Sequence, residues 1–202
     1  MGRRNMSRRA GYSLLELLIV VAIIGILAAA AIVGGTPAAN SQLRAAAEIA
    51  AEDIAYARSL AVTYNSKYTL TFDTAGNRYV LRHSGTDVAL NVLPVGARVK
   101  YSTNAAELVF GLDDMPSLSG NVRLMGVRTA GTTPTTVTTL EFGPLGQTTE
   151  SNATVVWLLI GRGDGLRYIS VTVDPVSGLT TIGDVQGTPP AGLALPADVA
   201  AI

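Results

Sequence analysis

Leu17–Val33 is a run of seventeen residues, every one apolar or glycine, in a chain of 202. An aliphatic run of that length lies within the lower range for a helix that crosses the ~30 Å hydrocarbon core of a bilayer. Glu16 stands at its head. A charge at mid-membrane costs at least roughly 2.5 to 3.5 kcal/mol, so this carboxylate calls for a partner. Arg3, Arg4, Arg8 and Arg9 precede the run with no acid among them. Basic residues on that side predict that this end stays in the cytoplasm.

Two classes of segment share this outline. A secretory signal peptide places its small-residue cut after the apolar region, where Pro37-Ala38-Ala39-Asn40 stands. A retained span is favoured by Ala10-Gly11, the small pair beside the basic stretch, because cutting there removes the arginines and keeps the apolar helix.

The basic leader, Gly11, the aromatic Tyr12, Ser13, Leu14-Leu15-Glu16-Leu17 and the long aliphatic run together resemble the prepilin signature of type IV pilins and type II secretion pseudopilins. The resemblance covers about the first 25 residues. It implies cleavage between Gly11 and Tyr12 by a membrane prepilin peptidase, N-methylation of Tyr12, and a role for Glu16 in subunit assembly. Gly25 matches a small residue of the same helix. Tyrosine replaces the usual phenylalanine at the new N-terminus, and the helix-kinking proline of the family is missing, with Gly34-Gly35-Thr36-Pro37 as the alternative flexible point.

That cut supplies the partner. It exposes an α-amino group, which ordinarily titrates at roughly 7.7 to 8.0 and is cationic at neutral pH. The amine, on the same chain or a neighbouring one, can pair with Glu16. A buried pair contributes little net stability, whereas stranding one member is costly. Glu16 is therefore expected to set the register of an incoming subunit. An ordinary anchor whose glutamate reaches the headgroups is the plainer alternative.

Downstream, Leu43, Ala47, Ala50, Ile54, Ala57, Ala61 and Tyr64 recur at spacings of four and three, which predicts an amphipathic helix from Ala38 to about Lys67. Its stripe is mostly alanine, so whatever packs there approaches closely. After Lys67 short strand-like runs alternate with turns. They are 68–72, 78–82, 98–101, 108–110, 121–127, 135–142, 154–160, 167–173 and 179–185, and the wholly apolar 155–160 reads as a central strand. Phe142-Gly143-Pro144-Leu145-Gly146 and Val173-Asp174-Pro175-Val176-Ser177-Gly178 are matching turns, each a proline followed by a glycine. These turns, together with Asp53–Val62, resemble the H-type minor pseudopilins and the FimT-like minor pilins.

Little chemistry is offered. Cysteine is absent, which excludes disulfides and thiolate sites. His83 is the single histidine, expected at the surface without a catalytic partner. Asp113-Asp114 lacks a third ligand for calcium, and Arg162-Gly163-Asp164-Gly165 reads as a tight turn. Asn152-Ala153-Thr154 fits a glycosylation sequon that a prokaryotic source makes uninformative. Without the first eleven residues, eleven basic residues face fifteen acidic ones, a net charge of −4. Nothing in that balance favours nucleic acid.

The expected architecture is α+β and pilin-like, a long N-terminal helix packed on a C-terminal antiparallel β-sheet domain. Residues 1–11 form the leader, 12–34 the transmembrane or filament-core helix, 35–67 the amphipathic helix, 68–185 the β-rich head and 186–202 a proline-rich tail, flexible or lying on the surface. No enzyme activity and no cofactor are expected. The resemblance implies a minor pseudopilin of a type II secretion pseudopilus. A FimT-like minor pilin of pilus assembly or DNA uptake is the alternative. Partners would be the prepilin peptidase, other pilin or pseudopilin subunits, the assembly platform and the membrane, with DNA ranked low. The chain would cross the bacterial inner membrane once, head periplasmic, before entering a periplasmic or surface filament.

Overall fold

The computed structural model describes residues 14–32, 35–94, 100–101, 104–113 and 122–200. They fall into two compact units, Met1–Ala38 and Ala39–Ile202. In the first, α1 spans Leu14–Ile32. Apart from Glu16 and Gly25 its residues are all aliphatic, and no proline interrupts it.

The second unit is built on the Ala39–Thr63 part of α2, which runs from Gly35 to Thr63. Leu43, Ala46, Ala47, Ala50, Ala51, Ile54, Ala57, Leu60 and Ala61 are buried along one stripe. The helix stops four residues short of the expected Lys67. Ser66 N–H donates to Ala61 O at 3.0 Å and Asn65 N–H to Val62 O at 3.3 Å, and Asn65 takes a left-handed φ of 47°. This is a Schellman stop with asparagine in place of glycine. Tyr64, expected on the apolar stripe, lies past that stop and is exposed.

Among the described residues nine strands follow: β1 (Tyr68–Asp73), β2 (Arg78–His83), β3 (Lys100–Tyr101), β4 (Glu107–Gly111), β5 (Val122–Thr129), β6 (Thr139–Phe142), β7 (Thr154–Ile160), β8 (Arg167–Val173) and β9 (Thr180–Ile182). They make two antiparallel sheets, β3-β4-β2-β1-β6 and β5-β7-β8-β9. The inner face of each joins the α2 stripe in one core, with Leu70, Leu81 and Leu108 from the first sheet and Val156, Leu158 and Ile169 from the second. Each such buried aliphatic contributes about 1.5 to 3 kcal/mol. The small α2 side chains let both sheets come close.

The expected strand over 135–142 is divided between the two sheets. Thr129 N–H donates to Thr135 O and Val137 N–H to Val127 O, both at 2.9 Å, along the edge of β5. Phe72 N–H then takes Thr138 O at 2.8 Å, and Thr139–Phe142 pairs with β1. The chain changes sheets at Thr138, which ends one ladder and starts the other. The last expected strand, 179–185, is limited to Thr180–Ile182.

One buried acid sits on the helical stripe. Asp53 is 6% exposed and accepts a hydrogen bond from Tyr79 Oη at 2.7 Å, while the Tyr79 ring stacks on Phe110 with centroids 5.2 Å apart. Removing a donor from a buried acceptor costs about 1 to 3 kcal/mol. Tyr79→Phe is therefore expected to lower the melting temperature by roughly 2 to 12 °C. A calorimetric scan in detergent checks this, and an unchanged transition would mean that this hydroxyl does not hold the carboxylate.

Candidate functional site

The cleavage and methylation positions, Gly11 and Tyr12, lie outside the described residues. Glu16 is the third residue of α1, in its first turn and exposed. A carboxylate there is favoured by the helix dipole by about 0.3 to 1 kcal/mol. Every described side chain of α1, from Leu14 to Gly25, is exposed, with Leu14 at 81%, Leu18 at 64%, Val21 at 65% and Ile24 at 59%. The consecutive exposed positions 14–25 cover all sides of the helix.

A helix apolar all round belongs inside an apolar surround. Nine large aliphatic side chains stand exposed between Leu14 and Ile24. Covering them yields well over ~10 kcal/mol, against roughly 2.5 to 3.5 kcal/mol for bringing one carboxylate along. The apolar term wins. Among the described residues, no helix is long and apolar enough to cross a membrane. The side chains described in α1 cover about 18 Å of helix, while the apolar sequence runs on to Val33.

In the head, the two proline–glycine turns that look alike in sequence meet in space. Thr148 N–H donates to Pro175 O at 2.8 Å, Gly146 N–H closes its turn on Gly143 O at 2.8 Å, and Gly178 N–H closes the other on Asp174 O at 2.8 Å. Arg58 of α2 reaches them, its Nε donating to Ser177 O at 2.7 Å. Asp174 Oδ1 accepts from Ser177 N–H, Ser177 Oγ and Val176 N–H. The Ser177 amide, then its hydroxyl, hold that carboxyl below the ordinary aspartate range. The resembling stretches 53–62, 142–146 and 173–178 thus form one contact that fixes the helix to both turns.

Other singled-out residues serve the fold. His83 departs from the expected solvated position. Its Nε2 lies 2.7 Å from Ser66 Oγ, its Nδ1 2.9 Å from Asn91 Oδ1, and its ring edge meets Tyr68 at 5.1 Å. This network ties the turn after α2 to β2. Asp113 is bonded to Arg123 and to Asn77 Nδ2, Asp114 lies outside the described residues, and among the described residues no three metal-ligating side chains cluster. Gly163–Gly165 is a short 3₁₀ turn between β7 and β8, with Arg162 as its extended N-cap. Two residues with no evident signal in the sequence matter more. Asp53 is one, visible in hindsight because it falls on the Ala50–Ala57 stripe. Asn77 is the other. It is buried with φ 49°, and its side chain bridges the β1–β2 turn to Val122 O and Leu124 N of the second sheet.

The Prokaryotic N-terminal methylation motif matches residues 6–32, a stretch that contains Gly11, Tyr12 and Glu16. The match covers that N-terminal segment alone, the part of the chain that resembles the type IV pilins. Among solved structures, two crystal forms of the type IV minor pilin FimU of Pseudomonas aeruginosa strain PAO1 align with it. The P21 form does so at 16% identity with a TM-score of 0.41, over 76% of this chain and 93% of that one. The P65 form does so at 15% and 0.36, over 70% and 92%. No curated protein matches the chain.

Proposed function

We propose that the chain is a prepilin cut between Gly11 and Tyr12, methylated at Tyr12, and assembled through residues 12–34 into a type IV-like filament. Before assembly that segment holds it in the inner membrane, N-terminus cytoplasmic and head periplasmic. Within this class we assign it to the minor pseudopilins of type II secretion, supporting protein export as an H-like subunit. The observation that carries the reading is the exposed, all-round apolar face of α1 with Glu16 in its first turn, inside the matched motif.

Glu16→Ala tests it. The variant is expected to be cut and to stay in the membrane fraction, because the apolar run is intact, yet to fall at least tenfold in sheared filaments. Equal co-purification with wild type would remove the register role, since the loss should come from stranding the new amine.

The second reading, a FimT-like minor pilin serving pilus assembly or DNA uptake, shares the same helix. Arg162 and Arg167, on either side of the turn between β7 and β8, give the DNA role little support. Arg167 Nη1 is committed to Leu166 O at 2.7 Å, and Asp164 lies in the same turn as Arg162. Binding of DNA by the full chain in detergent, weakening steeply as salt rises, would favour that reading over the first.

A further inference from the structure

The second sheet is apolar on both faces. Along β7, Val156, Leu158 and Ile160 enter the core shared with α2. The alternate residues Trp157 and Leu159 face the other way with Met125 and Tyr168. An antiparallel sheet with one face in water alternates apolar with polar; here the outer positions need a cover. The C-terminal tail supplies it. Gln186 exchanges two backbone hydrogen bonds with Tyr168, both 2.9 Å, and the chain then turns back across the sheet. Leu193, Leu195 and Val199 pack on Met125, Leu159 and Tyr168. Leu193 lies so close over Gly126 that a β-carbon there would stand 2.9 Å from its Cδ2.

Two arginines complete the seat. Arg123 Nε donates to Asp198 Oδ2 at 2.7 Å. Arg128 donates to the Ala191 carbonyl and lies 5.9 Å over the Trp157 ring. Among the described residues, the backbone from Gly187 to Ala197 makes no hydrogen bond to the sheet's backbone. Side chains and one carbonyl hold this segment, so another chain with the same side chains can compete for the place. A groove of about 800 Å3 stays open beside it, lined by Phe72, Met125, Thr136, Thr138, Leu193 and Leu195.

We propose that this face is a binding groove for a segment that presents two alternate leucine-sized side chains, as at Leu193 and Leu195, followed by a helical turn that carries a carboxylate, as Ala197–Ala200 carries Asp198. Residues 187–199 fill it in cis, and a matching segment of a neighbouring filament subunit displaces them on assembly. Only the source of the incoming segment rests on the filament reading. The groove's chemistry rests on Arg123, Arg128 and the apolar outer positions.

Trp157, the single tryptophan of the chain, reports on the site. In detergent micelles, a variant ending at Gln186 is expected to show red-shifted Trp157 emission and stronger acrylamide quenching than the full chain. A synthetic peptide of residues 187–202 should reverse both with saturation. Arg123→Gln in the shortened chain should weaken the peptide at least tenfold, as for loss of a charged hydrogen bond. A folded shortened chain that leaves the emission unchanged, or that ignores the peptide, overturns the groove. Should shortening destroy the circular dichroism of the sheets, Leu193→Ala/Leu195→Ala in the full chain replaces it. Hydrogen exchange across 187–199 must then quicken while β7 stays protected, and unchanged tail protection overturns the proposal. Displacement predicts faster exchange of 187–199 in sheared filaments than in micelles; equal rates overturn the neighbour's role and leave the filament reading standing.

Discussion

Gly11→Val yields a chain that keeps its first eleven residues, with Met1 or its successor, never Tyr12, at the N-terminus. A peptidase that cuts after glycine must bring the backbone on both sides of the scissile bond against its catalytic groups. A β-branched side chain at that point obstructs the approach and restricts the backbone. The consequence extends to Glu16. Without the cut there is no α-amine at Tyr12, so the carboxylate meets the apolar surround without the cation that would offset it, an uncompensated charge of the costly kind. The variant should accumulate in the membrane, held there by the same apolar run, and be missing from filaments. Intact-mass spectrometry of the membrane fraction decides the matter. A variant mass beginning at Tyr12 would make the glycine dispensable, and a wild-type mass beginning anywhere but Tyr12 would remove the proposed origin of Glu16's partner.

How far the sequence reaches depends on the range of the interaction. Thr154–Ile160 and Arg167–Val173 have the same boundaries in sequence and structure, because apolar continuity and strict alternation are local properties. The all-apolar 155–160 reads correctly as a central strand, flanked by β5 and β8. The reason its outer positions are apolar is the tail, which returns from some thirty residues away and cannot be seen in a window. The crossing of 135–142 between sheets is equally invisible, since it depends on which neighbour, β5 or β1, offers an edge at each residue. The helix stop at Thr63 is set by Asn65 in a left-handed conformation, a substitute for the glycine that such a stop usually signals.

The proposed assembly positions behave in the opposite way. Gly11, Tyr12 and Glu16 lie within six consecutive residues, so a short motif carries them whatever the rest of the chain does. In the head, the turns at 142–146 and 173–178 could be seen to match. Their shared contact with Arg58 spans 119 residues in sequence, and only the fold reveals it.

Gly178→Ala should cost about 3 to 4 kcal/mol, near the upper end for a single substitution. Two effects combine. Gly178 has φ 65°, a left-handed conformation that charges an L-residue roughly 1 to 2 kcal/mol. Its missing β-carbon also leaves the space into which the Gly146 carbonyl oxygen fits, with Arg58 Cδ next to it. A methyl group there overlaps backbone, which cannot rotate away, so the two turns must part and the Arg58–Ser177 bond must stretch. Gly163→Ala separates the two effects. Gly163 has a similar φ of 52°, but a β-carbon there meets nothing within 4 Å. It should lose only the conformational part. Thermal unfolding in detergent should therefore place Gly178→Ala roughly 6 to 16 °C below wild type, and Gly163→Ala at most about half as far. Equal losses would show that the turn-to-turn contact carries no stability of its own. A larger loss at Gly178 would show that α2 is fixed to the C-terminal turns through Arg58, so that a displacement at either turn is felt along the helix.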